Sequence, residues 1–232
     1  MSNYVMSDIH GEYDKYIKML EQIGFSDDDT LYVLGDVIDR GEEPVKVLLD
    51  MASRPNVYPV MGNHELMAIG VLEEVLKEVT DQNMESLNSD IMLGIMEWMS
   101  NGGEITLKQI QKLPKEKRLD LLDYLTEFSS YEVVDVGERT FVLVHSTLGN
   151  FSPDKKLRGY KLHELADMRA DYDKQLFDDE SVFIVSGHTP TQFLSGKAEI
   201  YHSCNNIDID CGATFSGRLA CLRLEDMKEF YI

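Results

Sequence analysis

Three short polar motifs interrupt the apolar runs of the N-terminal part of the chain: Asp8-Ile9-His10-Gly11, Gly35-Asp36-Val37-Ile38-Asp39-Arg40-Gly41 and Gly62-Asn63-His64-Glu65. Two further polar sites, His145 and Gly187-His188-Thr189, follow apolar runs later in the chain. The donors they offer are carboxylates, imidazoles and one amide oxygen. Such a set suits borderline-to-hard divalent metals, and the lack of cysteine argues against a structural zinc site. Taken singly, each motif reads as a turn, a helix cap or a satisfied core histidine. Five strand ends that all carry oxygen or nitrogen donors, most beside glycine, are hard to explain as turns. Carboxylates at neighbouring strand ends repel one another unless cations lie between them. Two metals roughly 3.5–4 Å apart would relieve that repulsion and could clamp an in-line displacement.

The elements that must present these residues can be read from periodicity. Residues 3–7, 31–35 and 57–61 are apolar runs of strand length. Between them lie two helical stripes: Tyr13, Tyr16, Ile17 and Leu20, stopped at Gly24, and Val45, Leu48, Leu49 and Ala52, with Pro44 in the first turn. This alternation predicts a parallel sheet with crossover helices, whose carboxyl ends line one edge. Residues 66–128 read as helical throughout, a helical insertion folded against the rest of a single domain, 1–232. It includes an amphipathic stretch over 69–79. A stripe of Ile91, Met92, Ile95, Met96 and Met99 beside Trp98 and a second of Leu119, Leu122, Leu125 and Phe128 are expected to pack inward. The remainder reads as mostly β, with a hairpin over 131–136 and 140–145, a short helix over 162–169, and strands over 182–186, 198–202, 207–210 and 218–224.

Composition sets limits on partners. The formal net charge is −20, so a basic face for nucleic acid or anionic lipid is not expected, and neither class of partner is. The hydrophobic fraction, 43%, argues for a folded chain rather than a disordered one. The three cysteines, Cys204, Cys211 and Cys221, do not form a disulfide framework and read as small buried hydrophobes in a reducing compartment. No secretory leader or membrane-length apolar run is visible, so a cytoplasmic location is expected. His163 and His202 have no motif around them. Asp208 and Asp210 share one strand face and are expected to make structural hydrogen bonds. Glu65 is expected to support the site from behind or to cap the following helix.

In order along the chain, Asp-x-His, Gly-Asp-x-x-Asp-Arg-Gly, Gly-Asn-His-Glu, a strand-terminal His and Gly-His-Thr resemble the phosphoprotein phosphatase family of calcineurin-like metallophosphoesterases. Its compact bacterial and phage members, symmetrical diadenosine tetraphosphatases included, are the most similar. The resemblance runs from Asp8 to Thr189, and the Asp-Cys-Gly-Ala stretch near the C-terminus extends it. It implies an α/β fold with two β-sheets packed face to face, helices on both outer faces, and the insertion bordering the active-site cleft. It implies two divalent ions, manganese first, with iron or zinc as alternatives: Asp8, His10 and His188 around one, Asn63 and His145 around the other, Asp36 bridging. A hydroxide bridging the metals would attack phosphorus directly. His64 would be the general acid, oriented by Asp39, and Arg40 would bind phosphate oxygens. A second arginine is expected, Arg169 in preference to Arg158.

The resemblance ranks a serine/threonine phosphoprotein phosphatase first and a dinucleoside polyphosphate hydrolase second, so the expected partner is a phosphoprotein or a nucleotide. A non-catalytic metal-binding regulatory module is the alternative of another class. Two departures stand out. Ser146-Thr147 replaces the usual Ala-Gly after the site histidine, and Glu42-Glu43 follows Gly41.

Overall fold

The computed structural model describes residues 1–76 and 89–232. The far end of the expected 69–79 helix and residues 77–88 of the insertion lie outside the described residues. Strands β1 (Asn3–Met6), β2 (Thr30–Val33) and β3 (Val57–Pro59) pair in parallel, joined by helices α1 (Tyr13–Ile23) and α2 (Pro44–Ala52). Strands β9 (Ala220–Arg223) and β10 (Lys228–Tyr231) add antiparallel on the other side of β1, giving the order β10-β9-β1-β2-β3. The second sheet is built from β4 (Glu132–Val136), β5 (Arg139–Leu143), β6 (Val182–Ser186), β7 (Tyr201–Ser203) and β8 (Asn206–Asp208), in the order β4-β5-β6-β8-β7. Strands β5, β6 and β8 run parallel, so their carboxyl ends also share an edge.

Alternation along β1 explains the layering. Tyr4 and Met6 face a core shared with the helices, with Tyr16, Met19 and Leu48. Val5 faces the other way, into a second core with Phe141, Leu143, Val185 and Leu222 that joins the two sheets. A strand buried on both faces has no polar face to show, which is why the run reads as continuously apolar. Val142, Val144 and Ile184 project to the opposite side of the second sheet and meet Leu148 and Leu165. The result is helices, sheet, sheet, helices, the expected α/β architecture.

Helix α1 stops where Gly24 enters the left-handed region at φ +65°, with its N–H returned to Leu20 and Glu21. On α2 the buried set is Pro44, Val45, Val47, Leu48 and Met51, whereas Leu49 and Ala52, both expected inward, are exposed. The insertion, 66–128, takes in all but the first turn of α3 (Asn63–Val75), with α4 (Ser89–Ser100), α5 (Glu104–Gln111) and α6 (Lys115–Thr126). The expected stripe packs inward in part: Ile95 and Met99 lie against the core. Met92 and Met96 are exposed, because α4 turns the side bearing Ile95, Met99 and the fully buried Trp98 to the protein and leaves its opposite side in water. On α6 the inward residues are Leu121 and Leu125, with Phe128 just beyond, and Leu119 is exposed. Cys211 and Cys221 are buried, but Cys204 sits exposed in the tight β7–β8 turn at φ +52°. Strand β10, too polar to read from periodicity, forms an edge. Among the described residues no helix is long and apolar enough to cross a membrane.

Phe141 is fully buried between the sheets and stacks on Phe183 at 5.5 Å. Phe141→Ala is expected to cost about 3–5 kcal/mol of unfolding free energy, read from the midpoint of a denaturant titration. A loss below about 1 kcal/mol would contradict this account of the inter-sheet core.

Candidate active site

All five polar motifs lie just beyond the carboxyl ends of β1, β2, β3, β5 and β6. Backbone hydrogen bonds lace the first two loops together: Asp8 N–H to Gly35 O at 3.1 Å, His10 N–H to Asp36 O at 2.9 Å and Gly11 N–H to Val37 O at 2.8 Å. Asp8, His10, Asp36, Asp39, Arg40 and His188 all adopt positive φ, between +45° and +69°. Non-glycine residues there cost of order 1–3 kcal/mol each and persist only where surrounding structure holds them. Three other described non-glycine residues share this conformation, so strain concentrates in these loops. The approach is close enough to require glycine at 62, where a Cβ would fall 2.3 Å from Asp36 Oδ1.

Asp36 stands between two groups of donors. Its Oδ2 lies 3.7 Å from His10 Nε2, and its Oδ1 lies 3.4 Å from His145 Nε2. Asn63 Oδ1 is 3.1 Å from His145 Nε2 and 3.0 Å from His188 Nδ1. His188 therefore joins Asn63 and His145, not the Asp8–His10 side to which the resemblance allotted it. Its backbone N–H donates to Asp8 Oδ2 at 3.0 Å while its ring projects toward Asn63. The rings are preset as ligands: His10 Nδ1–H donates to Ile38 O at 2.8 Å and His145 Nδ1–H to Leu34 O at 2.6 Å. This second hydrogen bond fixes the tautomer and turns Nε2 inward, the usual arrangement for a metal-binding imidazole.

Electrostatics agree with a cation site. Burial pushes the Asp8 carboxyl up to about 6. Burial also works against the Asp36 charge, but the His145 and His64 imidazoles outweigh it and hold that carboxyl well below its usual range. At His145, burial opposes the imidazolium, yet Asp36 and Asp8 overcome it and raise its pKa to about 10. Burial lowers His10 to about 3, keeping it a neutral donor, and lowers His188 to about 3 as well. Buried carboxylates ringed by preset imidazoles fit divalent cations, which would supply the compensating charge in place of a proton.

Beside this set lies a second constellation. His64 Nδ1–H donates to Asp39 Oδ2 at 2.7 Å, and both residues are buried. Arg40 reaches His10 Nε2 at 2.7 Å and His64 Nε2 at 2.9 Å with its two terminal nitrogens. Arg169 Nη1 donates to Thr189 Oγ1 at 3.1 Å. Both arginines line a cleft of about 340 Å³ with Asp8, Asp36, His64 and His188. Arg158 does not line that cleft; it is exposed in a short turn of 3₁₀ helix. Ser146 bonds through its hydroxyl to Met168 O, so the departure from Ala-Gly ties down the loop that carries Arg169.

Glu65 fills both of the roles expected of it, and several other contributors lie outside the motifs. Glu65 accepts N–H groups from Asp36 at 2.8 Å, Val37 at 2.9 Å and Gly62 at 3.1 Å, so it caps α3 and braces two loops at once. Asp210, expected to be structural, accepts Gly212 N–H at 2.8 Å but also lines the cleft. Asp208 keeps a structural role, bound by Tyr172 OH and by Asp210 N–H at 2.9 Å. His163 and His202 lie outside the cleft, His202 pairing with Glu229 at 2.9 Å. From the insertion, Asn101 lines the cleft, and Trp98 and Thr106 bond Asp39. Phe193 and Phe215, 77% and 64% exposed, form part of its wall. An exposed aromatic has no pattern to betray it.

Two packed sheets whose strand ends deliver buried carboxylates, imidazoles and an amide, with arginines beside them, define a metallophosphoesterase-type architecture. The sequence matches the calcineurin-like phosphoesterase family over residues 1–215, and the chain belongs to that family. A relative from Wigglesworthia glossinidia brevipalpis, named a symmetrical bis(5'-nucleosyl)-tetraphosphatase, is 30% identical over 125 residues, 53% of this chain and 44% of the relative. The chain thus spans less than half the length of that relative in the match. A crystal structure provisionally assigned as a diadenosine tetraphosphatase superposes with a TM-score of 0.67 at 17% identity, covering 99% of this chain and 92% of the other. A protein serine/threonine phosphatase from Saccharomyces cerevisiae superposes at 0.63 with 11% identity, covering 100% and 79%. At such identities the superpositions show the shared fold.

Glu65→Gln places an amide NH₂ against backbone donors. It is expected to lower stability by about 2–3 kcal/mol in urea unfolding. An unchanged midpoint would contradict the bracing role.

Proposed function

We propose that the chain is a dimetal-dependent phosphoric-ester hydrolase. The observation that carries the reading is the meeting of Asp36, between His10 and the His145–His188 pair, with Arg40 and the buried His64–Asp39 pair in one cleft. Asp8, His10 and Asp36 would hold one divalent ion, and Asp36, Asn63, His145 and His188 the other, with manganese the first candidate and iron or zinc the alternatives. When bound, such ions polarise phosphoryl oxygens and acidify a water enough to supply a nucleophile near neutrality.

The protein's own residues supply the rest. Arg40 and Arg169 offer planar forks to non-bridging phosphate oxygens, and Arg40 would leave the two imidazoles to do so. Once released, His64 Nε2 faces the cleft and can donate a proton to the leaving oxygen, while Nδ1 stays on Asp39. The insertion, through Asn101, shapes one side of the cleft. The presence of both the acid pair and the arginines supports an enzyme over a regulatory module.

For substrate, the reading favours dinucleoside polyphosphates over phosphoproteins. The name of the matched relative supports it, and so do Phe193 and Phe215, whose exposed faces on the cleft wall could stack on a planar base. The exposed, unpaired Cys204 supports a reducing, cytoplasmic setting.

The test is a manganese-loaded panel of diadenosine tetraphosphate, a phosphoserine peptide and an aryl phosphate, compared by kcat/KM. The dinucleotide is expected to lead, and Phe193→Ala to raise its KM about tenfold with kcat nearly kept. Preference for the peptide would overturn the substrate assignment, and no metal-dependent turnover on any of the three would sink the enzyme reading. His64→Asn should lower kcat about 10²–10⁴-fold on substrates with poor leaving groups, with metal content intact. Elemental analysis of Asp36→Asn should show loss at both metal positions; full stoichiometry would contradict its place between them.

A further inference from the structure

The partners of Asp39 come from beyond the motif loops. Its Oδ2 accepts both His64 Nδ1–H at 2.7 Å and the Trp98 indole N–H at 2.8 Å. Its Oδ1 accepts Thr106 Oγ1–H at 2.6 Å, and Thr106 Oγ1 in turn accepts the Asp39 backbone N–H at 3.0 Å. Asp39, Trp98 and Thr106 have no solvent exposure, and His64 has 1%. The next residue is held from the same segment: Arg40 N–H donates to Gly102 O at 3.3 Å. Gly102 must be glycine there, since its φ is +98° and a Cβ would lie 2.9 Å from Arg40 Cγ. The segment from Trp98 to Thr106 therefore grips the two left-handed residues at the end of the β2 loop, where φ is +69° at Asp39 and +65° at Arg40.

We propose that Trp98 and Thr106, both supplied by the helical insertion, are positioning residues for proton donation by His64. The inference rests on the reading of His64 as the acid of a phosphoric-ester hydrolase. A carboxylate bonded only to one imidazole can rotate about its side-chain torsions and carry the ring with it. Three donors from three helices, α3, α4 and α5, fix both the plane and the direction of the Asp39 carboxylate. With both of its oxygens occupied, Asp39 does not draw off the neighbouring Arg40 guanidinium, which stays turned to the cleft. The insertion thus does more than wall the cleft: it sets the aim of a proton that moves on the far side of Asp39. General-acid catalysis depends on alignment within a hydrogen bond's reach, so loosening this anchor should be felt in turnover rather than in substrate binding.

The closing experiment compares Trp98→Phe, Thr106→Val and Thr106→Ser, each metal-loaded, on phenyl phosphate and dinitrophenyl phosphate. Phenolate is a poor leaving group that needs the proton; dinitrophenolate is not. Trp98→Phe and Thr106→Val should each lose about tenfold in kcat on the first, with KM unchanged, and stay within about twofold on the second. Thr106→Ser, which keeps the hydroxyl, should restore turnover. Adding Trp98→Phe to His64→Asn should cost nothing further, because the two act through one proton. Equal losses on both substrates, or additive losses in the double variant, would assign these residues a merely structural role and overturn the proposal.

A second readout does not depend on turnover. The chain has one tryptophan, so the indole signal in a proton–nitrogen correlation spectrum of the zinc-loaded protein is unambiguous. It should lie downfield and exchange slowly, and Asp39→Asn should move it upfield. A freely exchanging indole in the unaltered protein would overturn the proposal. Should the unaltered protein hydrolyse neither the aryl phosphates nor diadenosine tetraphosphate, the hydrolase reading would fall on its own, while the spectrum would still decide the Trp98–Asp39 contact.

Discussion

Asp8 and Asp36 stand at the ends of neighbouring parallel strands, and both are buried. Strands about 4.8 Å apart leave two carboxylates little room to avoid one another, and burial removes the water that would screen them. Everything around the cleft answers this constraint. Backbone N–H groups reach both carboxylates, from His188 to Asp8 and from His64 to Asp36. His145 lies between them with its ring fixed by a carbonyl, and the whole arrangement suits bound cations. The fold contributes by direction: β1, β2 and β3 in one sheet and β5 and β6 in the other all end toward the same cleft.

Concentrating charge in this way requires a backbone that is itself unfavourable. Six residues of the polar loops hold left-handed conformations, and none is glycine. The protein stabilises them by over-determination. The β1 and β2 loops exchange backbone hydrogen bonds, and Glu65 binds four N–H groups of two loops. The insertion secures Asp39 and Arg40 from outside. The apolar layers serve this end, since a rigid double core lets short loops keep costly geometry.

The net charge of −20 and the phosphate chemistry are compatible because charge acts locally. Some of those carboxylates are turned inward to meet cations, and Arg40 and Arg169 face the same cleft. The outer surface stays acidic, while the cleft gathers the arginines and the candidate cation donors. The exposed Phe193 and Phe215 give the cleft wall an apolar character that the charge count does not disclose.

The linear sequence determined the parts that depend on residue type at short spacing. Strand ends, the polar motifs after them, the crossover pattern and the donor chemistry follow from periodicities of a few residues, and the chain's family follows with them. It did not determine how the donors divide. The His188 ring lies beside Asn63 and His145 while only its backbone N–H meets Asp8, a placement that depends on the direction of a left-handed backbone. Likewise, the amphipathic pattern of α4 could not show that Met92 and Met96 would face water while Trp98 and Met99 face the protein. Only the tertiary structure decided that Trp98 and Thr106, 59 and 67 residues from Asp39, would complete its hydrogen bonds. An indole or a hydroxyl needs no motif to reach a carboxylate. It needs only to be brought there, and bringing distant segments together is the work of packing, which leaves no local trace in the order of residues.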